Sequence, residues 1–97
     1  MSVYVDDMYA PFGRMKMCHM VADSRAELDA MADRIGVQRK WIQKPGTPRE
    51  HYDVSMSARA KAVAAGAIEV TTRDVVRMCA ARGDAQLQAI LPDVTPP

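Results

Sequence analysis

Apolar residues along this chain follow a two-residue period in some segments and a helical period in others. Short apolar runs at residues 3–5 and 15–21 predict strands, because alternate side chains of a strand face opposite sides of a sheet. Residues 37–43 and 67–70 predict two further strands. Proline and glycine mark the loops between several of these runs.

Three longer segments carry apolar residues at the spacing of an amphipathic helix. The most clearly marked begins with a Ser-x-x-Glu capping box at Ser24 and ends before Gly36. The next two are predicted to end at Gly66 and Gly83, because glycine is the usual residue just after a helix C-terminus. A short last helix is predicted over residues 84–91.

The resulting order, β-β-α-β-α-β-α, predicts a small single-domain α/β sandwich. We expect about four strands in a mostly parallel sheet, covered by three helices. The domain is predicted over residues 1–91, and the proline-rich residues 92–97 are expected to form a flexible tail. In open α/β sheets ligands bind at the carboxyl ends of the strands, so we look for a site there.

Composition narrows the class of protein. No apolar run approaches the roughly 20 residues of a membrane span, and the N-terminus lacks a signal-peptide pattern, so a cytoplasmic protein that does not contact membranes is expected. The two cysteines lie far apart and form no disulfide framework. The net charge of +1 is too small to drive non-specific nucleic-acid binding. Walker A, G-x-G-x-x-G, G-x-S-x-G and H-E-x-x-H motifs do not occur.

Basic residues cluster around the only tryptophan, Trp41. Residues 34–49 contain five lysines or arginines and no acid. An aromatic ring beside cations binds nucleotides by stacking and by phosphate contacts, so Trp41 and Lys44 are candidate ligand-binding residues. The alternative is that Trp41 anchors the core while the cations are solvated.

An aspartate pair, Asp6-Asp7, follows the first predicted strand and is a candidate cation site. Carboxylates at a strand end are typical ligands of hard cations, so Mg²⁺ or Mn²⁺ is the expected metal if one is bound. Because neighbouring strand residues point to opposite faces, both carboxylates converge only if the chain bends there. The alternative is one capping or salt-bridging aspartate beside a solvated one.

A second polar cluster, His51-Tyr52-Asp53, precedes the second predicted helix. His51 is a candidate general base or metal ligand, and Tyr52 and Asp53 are candidate ligand-binding residues. The alternative is that Asp53 caps the helix and Tyr52 packs beside it. His19 would line the same site if its strand lay beside the first strand, and Arg14 would contact a phosphate group.

Several short motifs occur together, in order, over residues 3–71. They are Tyr4-Val5-Asp6-Asp7-Met8, Phe12-Gly13-Arg14-Met15, Cys18-His19-Met20, the helix from Glu27-Leu28 to Ile35-Gly36, Trp41-Ile42-Gln43, His51-Tyr52-Asp53-Val54, and Ala62-Val63 to Gly66-Ala67. In this combination the chain resembles a small family of bacterial and phage proteins known as domain of unknown function 4031. The resemblance implies a bacterial protein, or a phage protein in the host cytoplasm, and assigns no role to any residue. Residues 44–49 look like an insertion relative to shorter members.

The expected function is binding of a phosphate-containing ligand at the strand-end site: a nucleotide, a signalling nucleotide or a nucleic-acid end. The alternative is a metal-dependent phosphodiester or nucleotide hydrolase with Asp6, Asp7 and His51 as catalytic residues. Binding is favoured, because two carboxylates and two histidines without a third positioned acid form a sparse catalytic set. A module that binds a protein partner or assembles with itself, most simply as a homodimer, is a second alternative.

Overall fold

A mixed sheet with helices on both faces forms the part of the chain that the computed structural model describes, residues 2–90. The strands are β1 (Val3–Val5), β2 (Ala10–Phe12), β3 (Met15–Ala22), β4 (Tyr52–Ser55) and β5 (Ile68–Glu69). The helices are α1 (Arg25–Ile35), α2 (Met56–Ala64), α3 (Thr72–Ala81) and α4 (Ala85–Ile90), with a 3-10 turn at Arg39–Trp41. None of these helices is long and apolar enough to cross a membrane. The predicted tail at 92–97 lies outside the described residues.

β3 is the longest strand and the centre of the sheet. Met17 of β3 pairs with β2 on one edge and with β4 on the other, and Met20 lies between β1 and β4 in the same way. The β2–β3 connection is a two-residue turn at Gly13 and Arg14, and Gly13 supplies the left-handed backbone conformation that such tight hairpins need. β5 then extends the sheet beyond β1.

The α/β class is confirmed, but the prediction of a mostly parallel sheet is wrong. β1–β3, β2–β3 and β3–β4 are antiparallel, and β1–β5 is the parallel pair among the described strands. The first two predicted strands have no helix between them. Parallel neighbours need a long crossover connection, so chain segments joined by short turns pair antiparallel instead.

Three segments differ locally from the prediction. Residues 37–43 form the 3-10 turn and a single β-bridge from Gln43 to His51 in place of a full strand. Val37 and Ile42 both pack against the core although they are five positions apart. In a strand, residues an odd number of positions apart point to opposite faces, so a regular strand cannot bury both. Residues 11–13 were predicted as a loop or turn, but the first two of them belong to β2 (Ala10–Phe12). Its Pro11 is tolerated because edge strands can lack a backbone donor. Residues 52–55 form β4, with the helix beginning only at Met56.

The predicted first helix is confirmed at both ends. The hydroxyl oxygen of Ser24 accepts a hydrogen bond from the Glu27 backbone N–H at 3.2 Å. Gly36 has φ of 81° and ends the helix in the left-handed conformation. Local capping chemistry is therefore sufficient to place α1.

Alternate residues of β3 pack against different helix layers. Cys18 and Met20 belong to the main core, which also contains Leu28 of α1 and residues of α2. Val21 points to the other face and packs against Val75 and its neighbours on α3. The side chains at odd-numbered positions of β3 therefore face the α3 side, and this face carries the candidate site.

Candidate metal centre

Two neighbouring strands place two histidines and an aspartate on one face of the sheet. His19 of β3 stands directly opposite Asp53 of β4 in the antiparallel register. His51 lies two residues before Asp53, so its side chain emerges on the same face. One ligand atom from each of the three lies within 4.8 Å of the others, and the two imidazole centroids are 5.1 Å apart. The sheet thus brings together groups 34 positions apart in sequence.

His19 is oriented by the buried carboxylate of Asp6, which is 0% exposed. His19 Nδ1 lies 2.7 Å from Asp6 Oδ2, while Oδ1 accepts the backbone N–H groups of His19 at 2.8 Å and Met8 at 3.2 Å. Burial acts to raise the pKa of Asp6, but these hydrogen bonds outweigh it and hold the pKa below its usual value. Since an ionised carboxylate only accepts, Nδ1 carries the proton and Nε2 of the neutral ring keeps its lone pair.

The same contact changes the acid–base behaviour of His19. The hydrogen bond to Asp6 raises the pKa of His19, burial opposes this, and the charges of Asp6 and Asp53 raise it further. In the absence of a competing cation, a proton is therefore held more firmly on this ring than on a free imidazole.

Arg59 of α2 holds the main chain of Asp6. The residue is 8% exposed. Its Nε donates to the Asp6 carbonyl oxygen at 2.8 Å, and the guanidinium also pairs with Glu69 at 2.9 Å. Buried arginines are rare unless paired, and this one fixes the residue that orients His19. The sequence analysis missed Arg59. The available signal was its place next to Ala58 and three residues before Ala62, within one turn of two small apolar residues that the helix buries.

His51 is oriented by a backbone carbonyl. Its Nδ1 lies 2.6 Å from the carbonyl oxygen of Arg49, an acceptor only, so Nδ1 carries the proton. Nε2 then faces Asp53 at 3.2 Å. The Arg49 guanidinium pairs with Asp84, which ties this segment to the start of α4. In their neutral forms both histidines therefore have a protonated, engaged Nδ1 and a lone pair on Nε2. Metal-binding histidines have this arrangement, since their second nitrogen donates to a carboxylate or carbonyl.

The spacing of the three groups is slightly wider than a metal ion requires. Metal–nitrogen and metal–oxygen bonds of about 2.0–2.2 Å at tetrahedral angles place ligand atoms roughly 3.3 Å apart. His51 and Asp53 already meet this spacing, at 3.2 Å. The widest pair lies within 4.8 Å, so a bound ion requires it to close by at most about 1.5 Å. The Asp53 side chain is 44% exposed, so its carboxylate can rotate to adjust its distance from either histidine.

The structure does not bring Asp6 and Asp7 together as a carboxylate pair. The oxygens of Asp6 are already occupied by three N–H groups, two from His19 of β3 and one from Met8 in the loop after β1. Asp7 is exposed, and its Oδ1 accepts the backbone N–H of Thr72 at 2.9 Å at the start of α3. Asp6 thus supports His19 from behind, and Asp7 caps a helix.

The other predicted site residues are dispersed. Tyr52 is buried in the core, and its hydroxyl donates to Asp29 of α1 at 2.6 Å. Arg14 is exposed in the β2–β3 turn, and Lys44 is exposed in the loop before β4. Trp41 is 59% exposed, so it is not a core anchor.

A groove opens beside His19 and Asp53. It encloses about 820 Å³, and His19 and Asp53 form part of its wall. Trp41 of the 3-10 turn also lines it, with Gly36 at the end of α1 and Gln38 just before the turn. The remaining lining residues are Met8, Ala10, Pro11, Phe12, Met15, Met17, Cys18, Val37, Gln43 and Ser55.

The sequence contained a signal for the shared face of His51 and Asp53. Residues 51–55 alternate polar, apolar, polar, apolar and polar, which is the two-residue pattern of a half-buried strand. The prediction that these residues start a helix placed the side chains of His51 and Asp53 at the helix N-terminus instead of on one strand face. The pairing with His19 depends on strand register, and no local pattern reveals it.

Comparison with known proteins identifies the family of the chain and leaves its chemistry open. Neither the curated proteins nor the solved structures contain a match. The sequence profile of one family, described as "Protein of unknown function (DUF4031)", matches residues 3–82 and thus spans β1 through α3 and all residues of the site. The chain belongs to this family.

Proposed function

We propose that the protein binds one divalent transition-metal ion through His19, His51 and Asp53, and that the ion binds an oxyanion such as the phosphate group of a ligand. The observation that carries this proposal is the pair of oriented imidazoles. Asp6 and the Arg49 carbonyl each hold an Nδ1, so both Nε2 atoms keep a lone pair, and one ring nitrogen of each histidine lies within 4.8 Å of the other and of an Asp53 oxygen.

The donor set favours a transition metal over a hard cation. Two imidazoles and one carboxylate suit Zn²⁺ or Fe²⁺, whereas Mg²⁺ prefers oxygen ligands and keeps much of its water. The proposal therefore moves the expected metal site from Asp6 and Asp7 to the face of β3 and β4. Three protein ligands leave at least one coordination position open, which distinguishes ligand-binding and catalytic sites from closed structural ones.

Hydrolysis of a phosphodiester is the second candidate function, favoured by the open coordination position. An ion held by His19, His51 and Asp53 would supply a hydroxide near neutral pH and neutralise charge on a phosphate oxygen. In this version His51 is a metal ligand instead of a general base, and Asp6 positions His19 without touching substrate.

Titration of metal-free protein with Zn²⁺, followed by isothermal calorimetry, tests the proposal. We expect one ion per chain and a loss of at least about tenfold in affinity in Asp53→Asn, since a ligand lost should cost no less than an outer-shell contact. Asp33→Asn is the matched control, because Asp33 is also exposed and paired, with Arg39, but lies on α1. Equal zinc affinity of both variants and the wild type would contradict the proposed site.

The two candidate functions separate in an activity assay. The zinc-loaded protein is incubated with bis(4-nitrophenyl) phosphate, and release of nitrophenolate is compared with that from free Zn²⁺. Turnover that disappears in His51→Ala would favour the hydrolase. Zinc-dependent binding of phosphate without turnover would favour the ligand-binding function.

A further inference from the structure

Large apolar side chains remain exposed along the groove. Seven large hydrophobic side chains are exposed in the described part of the chain, and four of them line this groove: Met8, Phe12, Met15 and Trp41. Phe12 is 72% exposed and Trp41 59%. Soluble proteins rarely leave apolar side chains clustered in this way unless the surface binds something.

The apolar wall leads to two of the three proposed metal ligands, His19 and Asp53. Met15, Met17 and His19 alternate along β3, so their side chains emerge on the same face as a row. Met15 and His19 are four positions apart along the strand, so the row is about 13 Å long. An occupant of the groove therefore reaches the metal at one end and the exposed methionine and phenylalanine side chains at the other.

From this continuity we propose that the ligand bound through the metal carries an apolar body beside its oxyanion head group. This inference rests on the proposed function, because the metal holds the head group. The volume of about 820 Å³ is that of a small-molecule site rather than a site for a bare phosphate ion. Flexible methionine side chains adapt to such bodies and pack well against aromatic rings.

A series of alkylphosphonates tests the inference, with zinc-loaded wild-type protein and calorimetry as the readout. Methylphosphonate and butylphosphonate share the head group and differ by three methylene groups. Full burial of a methylene is worth about fourfold in affinity, so butylphosphonate is expected to bind up to about 60-fold more tightly. We expect Met15→Gln to reduce this preference severalfold while leaving the affinities for Zn²⁺ and methylphosphonate unchanged.

Met56→Gln is the matched control. Met56 and Met15 are exposed to a similar extent, but Met56 begins α2 and does not line the groove. Its substitution should leave the phosphonate preference unchanged. Because both positions are exposed, neither substitution threatens the fold.

The outcomes separate this inference from the proposed function. If Zn²⁺ binds and the two phosphonates bind equally, the inference is refuted and the metal site stands. If Zn²⁺ does not bind, both are refuted. If sedimentation equilibrium reveals a dimer that Met15→Gln dissociates, and butylphosphonate gains nothing, the groove is an interface between two copies and the inference is again refuted.

Discussion

Replacing Asp6 by asparagine should change the tautomer of His19. The carboxylate accepts three N–H groups, two from the backbone on Oδ1 and one from His19 on Oδ2. Asparagine keeps one oxygen and presents an NH₂ group in place of the other. Keeping the oxygen toward the two backbone donors satisfies more hydrogen bonds, so the NH₂ group faces His19 Nδ1. The ring must then carry its proton on Nε2, where the metal would bind.

The expected losses follow from these contacts. One charge-assisted hydrogen bond is worth about 1.5–3 kcal/mol of unfolding free energy. A domain of this size has roughly 5–15 kcal/mol in total, so Asp6→Asn should remain folded at 25 °C. Zinc affinity should fall about 10- to 100-fold, as for other residues that orient a ligating histidine.

Asp7→Asn provides a matched control at the neighbouring position. Asp7 accepts a hydrogen bond from the first turn of α3, and an asparagine oxygen can accept it equally well. Its stability and zinc affinity should stay close to wild type. Urea denaturation in EDTA measures the stability of both variants, calorimetry the zinc affinity, and ¹⁵N NMR the tautomer of His19. Wild-type zinc affinity in Asp6→Asn, or equal losses in both variants, would refute the reasoning.

Three further outcomes are expected. Zn²⁺ at 100 times its dissociation constant should raise the free energy of unfolding of the wild type by about 2.7 kcal/mol, and should raise that of His51→Ala much less. Scanning calorimetry measures both values, and equal gains would count against the site. Burial and then the hydrogen bond to Asp29 raise the pKa of Tyr52 to about 12 from 10.0. The neutral, hydrogen-bonded phenol of Tyr52 therefore stabilises the fold below pH 10, and this contribution is lost as the pH rises toward 12. Tyr52→Phe should abolish this pH dependence in urea denaturation and should lower the free energy of unfolding by about 1–2 kcal/mol at pH 7. Gly36→Ala should cost about 1 kcal/mol in urea denaturation, because φ of 81° strains any residue with a Cβ; no loss would mean that the helix end rearranges.

Local sequence patterns predicted correctly those elements that are stabilised by contacts between residues close in sequence. The hydroxyl cap of Ser24 and the terminal glycine at Gly36 act within one helical turn, and both ends of α1 were predicted correctly. The strand at residues 3–5 was likewise marked by its own β-branched and aromatic residues. His19, His51 and Asp53 were all identified as candidate ligand-binding residues by their chemistry.

The assembly of those residues into one site depends on tertiary structure. Strand direction and register are set by hydrogen bonds between distant segments and by the helix layer that each face must cover, and neither leaves a local pattern. Pairing of β3 with β4 placed His19 opposite Asp53, and pairing of β3 with β1 buried Asp6 behind His19. The sequence by itself therefore determined the α/β class, the first helix and the candidate side chains. Only the fold decided that Asp6 orients a histidine, that Asp7 caps a helix and that Tyr52 belongs to the core, because these roles depend on contacts made across the sheet.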